Sequence, residues 1–334
     1  MPYAVSVPSK SPLVIGHRGA PGVRPEHTRS SYDLALATGV DAVEPDVVAT
    51  QDGVLVVRHE NEISGTTDVA DHPEFADRRT TRRVDGAALT GWFTEDFTWA
   101  ELSTLRCRER LPKLRASSAS FDGTEPILRL RDVLDLVRAA AQEQSRPIGV
   151  VLEVKHATHF AGIGLDLAPL IARELRDAGW AAGELPLIVE SFESTVLGQL
   201  RAAGVDASFV YLIEAAGQPY DLLVAEGSKA LSYPETVTPG NLDRLVGQVD
   251  GISVDKKMLL VPGTTLVADA HARGLTVFTW TCRPENAFLA APYRGPGGKS
   301  AFGHYEAEWG VIARQGVDGV FVDHPDLGVA FFRS

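Results

Sequence analysis

The stretch Val43–Glu60, VEPDVVATQDGVLVVRHE, decides how the strands of this chain are counted. Two β-rich runs flank Asp52-Gly53, a strong short signal for a hairpin. The run 54–59 is then an antiparallel return from 42–48 rather than a new member of the sheet. Further strand candidates lie at 13–16, 148–154, 186–191, 207–213, 250–254, 275–280 and 318–322. Most are dense in Val, Ile, Leu and Phe, as parallel strands buried on both faces require. With the return set aside, nine runs become eight.

Outward from that hairpin, one pattern recurs: a helical stretch, a glycine, then a short apolar run. It is seen around Gly39, Gly179, Gly204, Gly274 and Gly316. Glycine tolerates the left-handed conformation that ends a helix, so each unit reads as helix, cap, strand. Eight strands on such a repeat predict a (β/α)8 TIM barrel, a single catalytic domain over 1–334 with the hairpin after its second strand. A doubly wound open sheet is the other architecture of this pattern, but no GxGxxG follows any strand to favour a dinucleotide fold.

The interval between His59 and Ile148 is too long for one crossover, and residues 60–126 read as an insertion. Thr98–Glu101 is a capping-box pattern before a short helix, and LRLRDVLDLVRAAAQEQ from Leu128 has helical periodicity. The first half, with Arg78, Arg79, Arg82 and Arg83, is polar and reads as a solvated charged loop, or as a lid over the barrel mouth.

Composition narrows the class of function. The formal charge of −12 argues against a nucleic-acid surface or polybasic lipid docking, so an anionic substrate must be drawn in locally. Cys107 and Cys282 match no zinc or redox spacing and are expected as two ordinary thiols. The opening MPYAVSVPSKSP lacks the basic and apolar regions of an export signal, and no apolar run is long enough to span a membrane. As it stands the sequence reads as cytoplasmic; a trimmed secreted form would read the same.

Active sites of β/α barrels lie at the C-terminal strand ends, where polar residues carry most weight. His17 and Arg18 end the first strand, Glu44 and Asp46 interrupt the second, Glu153 and Lys155 end VVLEVK, and Trp280 ends another. Residues two apart on a strand share a face, which pairs Glu44 with Asp46 and Glu153 with Lys155. A two-residue turn at Asp52-Gly53 would pair Gln51 with Val54 and set His59 opposite Asp46. Three carboxylates on one face are costly to bury unpaired, so one divalent metal is expected; all-oxygen ligation suits Ca2+ or Mg2+ better than Zn2+. A buried ion-pair network with Arg18 and Lys155 is the plainer alternative, but it has little need of two histidines. His17 and His59 titrate near neutrality and suit one proton taken and one given. The combination fits attack on a phosphodiester, with Arg18 and Lys155 on its non-bridging oxygens.

HRG-x(5)-PEHT, then E-x-D-V-x(2)-T-x-D-G-x(2)-V-V-x-H-E, then E-x-K, T-W-T and G-V-D-G-V-F-V-D together resemble the glycerophosphodiester phosphodiesterase family from Ile15 to Pro325. The resemblance implies a β/α barrel, a divalent metal, and hydrolysis of glycerophosphodiesters to glycerol 3-phosphate and an alcohol. It implies His17 and His59 as the acid/base pair, Glu44, Asp46 and Glu153 as metal ligands, and Arg18 and Lys155 as phosphate contacts. It also suggests Phe192 and Trp280 as walls for the glycerol moiety. TTDVADHPEF resembles the insertion of periplasmic-type members. PEHT and HE depart from the more usual PENT and HD, and neither removes an implied ligand. Two other readings stand beside this one: a sphingomyelinase-D-type lipid phosphodiesterase, which should show an apolar rim, and a non-catalytic phosphate- or sugar-binding barrel. The expected partner is a small molecule, with no nucleic acid and no stable membrane insertion. Head group, choice between Ca2+ and Mg2+, and oligomeric state are not legible.

Overall fold

Eight parallel staves close on one another in the computed structural model, which describes residues 11–334. The opening residues, read above for an export signal, lie largely outside the described residues. The staves are β1 (Leu13–His17), a broken stave of β2 (Ala42–Glu44) and β3 (Asp46–Ala49), then six strands that follow the interval 60–126. Those six are β7 (Gly149–Val154), β8 (Leu187–Ser191), β9 (Ser208–Ile213), β10 (Gly251–Asp255), β11 (Thr276–Cys282) and β12 (Gly319–Val322). β12 pairs with β1 and closes the ring. The break between β2 and β3 falls at Pro45, which lacks an N–H for the ladder, yet both halves keep one register on β7 and Glu153 N–H still donates to the Pro45 carbonyl at 3.0 Å. The TIM barrel expected from the helix–glycine–strand repeat is therefore the fold.

The barrel interior is layered. Ile15, Ala42, Val151, Val210, Phe278 and Phe321 form one apolar cluster inside the ring. Because side chains alternate along a strand, residues two positions further point into the same interior, one layer closer to the mouth. That next layer contains His17, Glu44, Glu153, Trp280 and Asp323, and, from Ile188 on β8, Glu190. The floor is apolar and the layer above it is chemical.

The hairpin after β3 is present, with β4 (Leu55–Val57) antiparallel to it, but its register differs from the sequence reading by one residue. Val47, Val48 and Ala49 pair with Val57, Val56 and Leu55, so Thr50 meets Val54 across a three-residue loop. Gly53 alone of the loop has positive φ, +76°, which is the left-handed glycine of a bulged three-residue hairpin and not a two-residue turn. Asp46 therefore lies level with Arg58, whose N–H donates to the Asp46 carbonyl at 3.0 Å, and not with His59. His59 reaches the interior because the chain leaves the sheet after Val57, where strand alternation no longer governs it.

The interval 60–126 is more ordered than a charged loop. It holds a second hairpin, β5 (Thr80–Val84) with β6 (Ala87–Gly91), turning at Asp85 and Gly86, both at positive φ. The expected capping box at Thr98 and Glu101 is formed, as is the helix Leu130–Glu143. Two of the four clustered arginines are paired within the segment: Arg78 holds Glu101 and the Asp96 carbonyl, and Arg82 holds Asp96, while Arg79 and Arg83 are exposed. Both cysteines are buried and free. Among the described residues no helix is long and apolar enough to cross a membrane.

Candidate active site

A cavity of about 590 Å3 opens at the C-terminal mouth, lined by His17, Arg18, His59, Glu153, Lys155, Phe192 and Trp280 among others. Glu44 and Asp46 lie immediately beneath it, 1% and 0% exposed. All nine residues singled out in the sequence therefore gather at one end of the barrel.

The turn after β1 sets the first two. Arg18 is at φ +57° and Gly19 at φ +89°. A β-carbon at Gly19 would sit 2.5 Å from Ser31 Oγ and 2.6 Å from the Ser31 carbonyl carbon, so only glycine fits. Arg18 N–H donates to Glu44 Oε2 at 2.7 Å, which ties this turn to the acid on the neighbouring stave. The turn lets both His17 and Arg18 face the cavity although they are adjacent in sequence.

The carboxylates form two sets. One oxygen each of Glu44, Glu153 and Glu190 lies within 4.8 Å of the others. Burial, then the charges of Asp46 and Glu153, pushes Glu44 and Glu190 well above the usual carboxylate range. Glu153 is pushed up to about 8, first by burial and against the pull of Lys155. Asp46 stands beside this cluster. Burial would raise it, but Lys155, His59 and Arg18 overcome that and hold it well below its ordinary value. His27 Nε2 lies 2.8 Å from Asp46 Oδ2, and its Nδ1 lies 2.7 Å from the Tyr32 hydroxyl. An ionised carboxylate only accepts, so Nε2–H donates to Asp46, while the Tyr32 hydroxyl faces both His27 Nδ1 and the Glu44 carbonyl, to which it donates at 3.3 Å.

Four acids thus face two nearby cations, Arg18 and Lys155. Lys155 Nζ is 2.6 Å from Glu153 and 3.6 Å from Asp46, and Arg18 Nε is 3.4 Å from Asp46. Glu44 Oε1, Asp46 Oδ1 and Glu190 Oε2 remain buried without a hydrogen-bond partner. Asp46 Oδ1 has Lys155 within ion-pair distance; Glu44 and Glu190, which converge with Glu153, are left unsatisfied by the ion pairs and fit a hard divalent cation.

Three histidines line the cavity; His156 Nδ1 lies 2.5 Å from Asp85 Oδ2, and the two that the sequence singled out are each oriented by a carboxylate of their own. His17 Nδ1 lies 2.6 Å from Asp323 Oδ1, and His59 Nδ1 lies 2.5 Å from Glu60 Oε1. Asp323 would be raised by burial, but Arg283, Arg115 and His17 hold it well below the usual range. Glu60 is likewise held low, with the His59 and Arg110 contacts outweighing its burial. Both carboxylates are therefore acceptors, both Nδ1 atoms carry the proton, and both Nε2 atoms carry a lone pair. Burial, then Arg18, brings His17 down to about 4; burial, then Arg18 and Lys155, brings His59 down to about 3. Both rings are neutral at pH 7 in the free protein.

Glu190, Asp323, Arg283 and His27 belong to the site but were not singled out in the sequence. Glu190 and Asp323 had a signal, an acid two positions after an apolar interior residue of its own strand. Arg283, which lines the cavity and donates to Asp323 at 2.6 Å, comes from a loop and had none; His27 also comes from a loop, but it is the residue at which PEHT departs from PENT. Phe192 and Trp280 meet edge to face, ring centres 5.6 Å apart, on one wall. Beyond them the wall carries Asp85, from the β5–β6 turn, and Glu193 and Glu214.

A closed β/α barrel whose mouth combines clustered acids, fixed cations and two carboxylate-oriented histidines defines a barrel hydrolase of phosphoric diesters. Residues 17–327 match the Glycerophosphoryl diester phosphodiesterase family, and the chain belongs to that family. It is similar to a glycerophosphodiester phosphodiesterase of Arabidopsis thaliana, 30% identical across 93% of this chain and 83% of the relative. One from Haemophilus influenzae is 25% identical across 96% and 90%. Among solved structures, a glycerophosphoryl diester phosphodiesterase from Silicibacter pomeroyi superposes with a TM-score of 0.66 at 25% identity, covering 97% of this chain and 94% of that one. An Oleispira antarctica phosphodiesterase in complex with the product sn-glycerol-3-phosphate has the same fold, with a TM-score of 0.65 at 20% identity over 97% and 98%.

Proposed function

We propose that this chain hydrolyses glycerophosphodiesters to glycerol 3-phosphate and an alcohol, using one divalent cation, Ca2+ or Mg2+, and His17 and His59 as the acid/base pair. The observation that carries this reading is the meeting, at one end of the barrel, of buried carboxylate oxygens that lack a hydrogen-bond partner with two histidines each held at Nδ1 by a carboxylate. Glu44, Asp46 and Glu153 would hold the cation, with Glu190 adjoining. When bound, a divalent cation supplies charge neutralisation for the phosphate and the acids around it.

Arg18 and Lys155 supply fixed positive charge for the non-bridging oxygens as negative charge builds on them. The arriving phosphodiester anion raises both histidines, so one of them can be protonated in the complex. One histidine then takes a proton from the attacking water at Nε2 while the other gives its Nε2 proton to the departing alkoxide; the P–O bond to the alcohol breaks as the new P–O bond forms. Phe192 and Trp280 offer an apolar wall to the glycerol carbons. Asp85 brings the 60–126 segment to the cavity wall, which supports its reading as a cap. A lipid-directed reading gains little: of the exposed large hydrophobic residues among those described, Leu223 alone lines the cavity.

Purified protein should release glycerol 3-phosphate from glycerophosphocholine, and His17→Ala and His59→Ala should each lose about 100- to 10,000-fold in kcat while keeping the wild-type circular dichroism spectrum. A folded double variant with wild-type turnover would remove the histidines from the proton transfers.

A further inference from the structure

The two carboxylates that orient His59 and His17 each accept from an arginine of one short stretch, residues 108–115 of the segment that precedes the helix Leu130–Glu143, with Arg283 a second donor to Asp323. Arg110 donates to both oxygens of Glu60, at 2.8 and 2.6 Å, and to both oxygens of Glu26, at 2.9 and 2.6 Å. Glu26 in turn accepts from Arg18 Nη1 at 3.1 Å. Five residues on, Arg115 donates to Asp323 Oδ2 at 2.5 Å, to Glu285 Oε1 at 2.9 Å and to the Pro21 carbonyl at 3.1 Å. Asp323 spends its other oxygen, and Glu60 the oxygen it shares with Arg110, on the histidine.

The stretch is itself pinned. Buried Glu109 accepts from the Leu111 N–H at 2.7 Å and from the Ser118 hydroxyl at 2.5 Å, and Arg115 N–H closes on the Leu111 carbonyl at 2.9 Å. The backbone that carries the two arginines is therefore held by local bonds of its own.

We propose that residues 108–115 are a brace for the acid/base pair: Arg110 and Arg115 are positioning residues that hold Glu60 and Asp323, and through them fix the ring orientation and the Nδ1–H tautomer of His59 and His17. This rests on the assignment of the two histidines made above. The guanidinium fork is what the arrangement requires, because each arginine spans two acceptors at once; an ammonium keeps the charge but not the fork. The segment that covers the mouth would thus also set the proton-transfer geometry, so the cap and the catalytic pair cannot be varied independently.

The test compares R110Q, R110K, R115Q and R115K with wild type, saturated with Ca2+ or Mg2+. Against glycerophosphocholine, kcat should fall about 10- to 100-fold with KM nearly unchanged, and the lysine variants should stay nearer to the glutamine variants than to wild type. The independent readout is the far-downfield proton NMR spectrum, in which the two Nδ1–H protons bonded to carboxylate are assigned by their loss in H59A and H17A. Arg110 variants should lose or shift the His59 resonance and keep that of His17; Arg115 variants should do the reverse. Wild-type kcat in all four variants, or loss of both resonances in each, would overturn the brace; the lysine variants keep the test available if a glutamine variant does not fold. If wild type turns over no glycerophosphodiester, the functional reading fails, while selective loss of one resonance per arginine still supports the brace and unselective loss still rejects it.

Discussion

Replacing Asp323 by asparagine probes the most heavily loaded side chain of the site. Its carboxylate is fully buried and accepts from His17, Arg115 and Arg283 at 2.5 to 2.6 Å. Asparagine keeps the shape but removes the charge and turns one acceptor into a donor, which must then face one of three donors. Breaking a buried pair by removing one partner typically costs about 3–5 kcal/mol, because the remaining charge is left uncompensated. With an unfolding entropy of roughly 2.1 cal/mol/K per residue, a chain of this length has about 0.7 kcal/mol/K, so Tm should fall by about 4–7 °C. The functional loss should exceed the structural one. Without an anionic acceptor at Nδ1 the neutral ring can place its proton on Nε2, and the protonated ring loses its counter-charge, so His17 is impaired whether it takes the proton or gives it. A fall of about 100- to 10,000-fold in kcat, at a temperature where the variant is fully folded, is expected. Differential scanning fluorimetry and steady-state release of glycerol 3-phosphate measure the two effects. A variant that loses Tm as stated but keeps kcat within a few-fold of wild type would show that Asp323 supports the barrel and not His17.

Other expectations follow from the same geometry. Glu44→Gln removes one of the clustered carboxylates and should raise the half-saturating divalent-metal concentration by about 10-fold or more; an unchanged metal requirement would misplace the site. Glu153 is held near 8 in the folded metal-free protein, above its unfolded value of 4.5, so its stabilising share is full below about 4.5 and is lost as pH rises through 8. Between pH 7 and 8.5, above the range in which the lowered His17 and His59 contribute the opposite slope, the Tm of metal-free protein should therefore decline and the Tm gain on adding Ca2+ or Mg2+ should grow; a metal-induced gain that is flat over that range would contradict the raised carboxylates. Phe192→Ala should raise KM for glycerophosphodiesters with a smaller change in kcat, since an apolar wall binds ground and transition states alike; an equal loss confined to kcat would reject that role.

Much of this site was legible because barrel geometry converts position into proximity. His17, Glu44, Asp46, Glu153 and Lys155 stand at strand ends in the sequence, and strand ends share one mouth. Glu190 and Asp323 obey the same rule, each two positions beyond an apolar interior residue, and were legible in principle. The hairpin at Asp52-Gly53 was visible but not its register: one left-handed residue or two give loops of different length from the same dipeptide. Asp85-Gly86 carried the identical signal with both residues left-handed, and its polar flanks hid the strands. Glu26, His27, Arg110 and Arg115 act across long sequence separations through loops, and neither periodicity nor spacing reports such contacts.

The account turns on metal-dependent diester cleavage in this cavity, and turnover before and after chelation measures it most directly. Protein stripped with EDTA should release no glycerol 3-phosphate from glycerophosphocholine and should regain activity on titration with Ca2+ or Mg2+. Full turnover in the stripped protein, or none under any metal and any glycerophosphodiester, would contradict it.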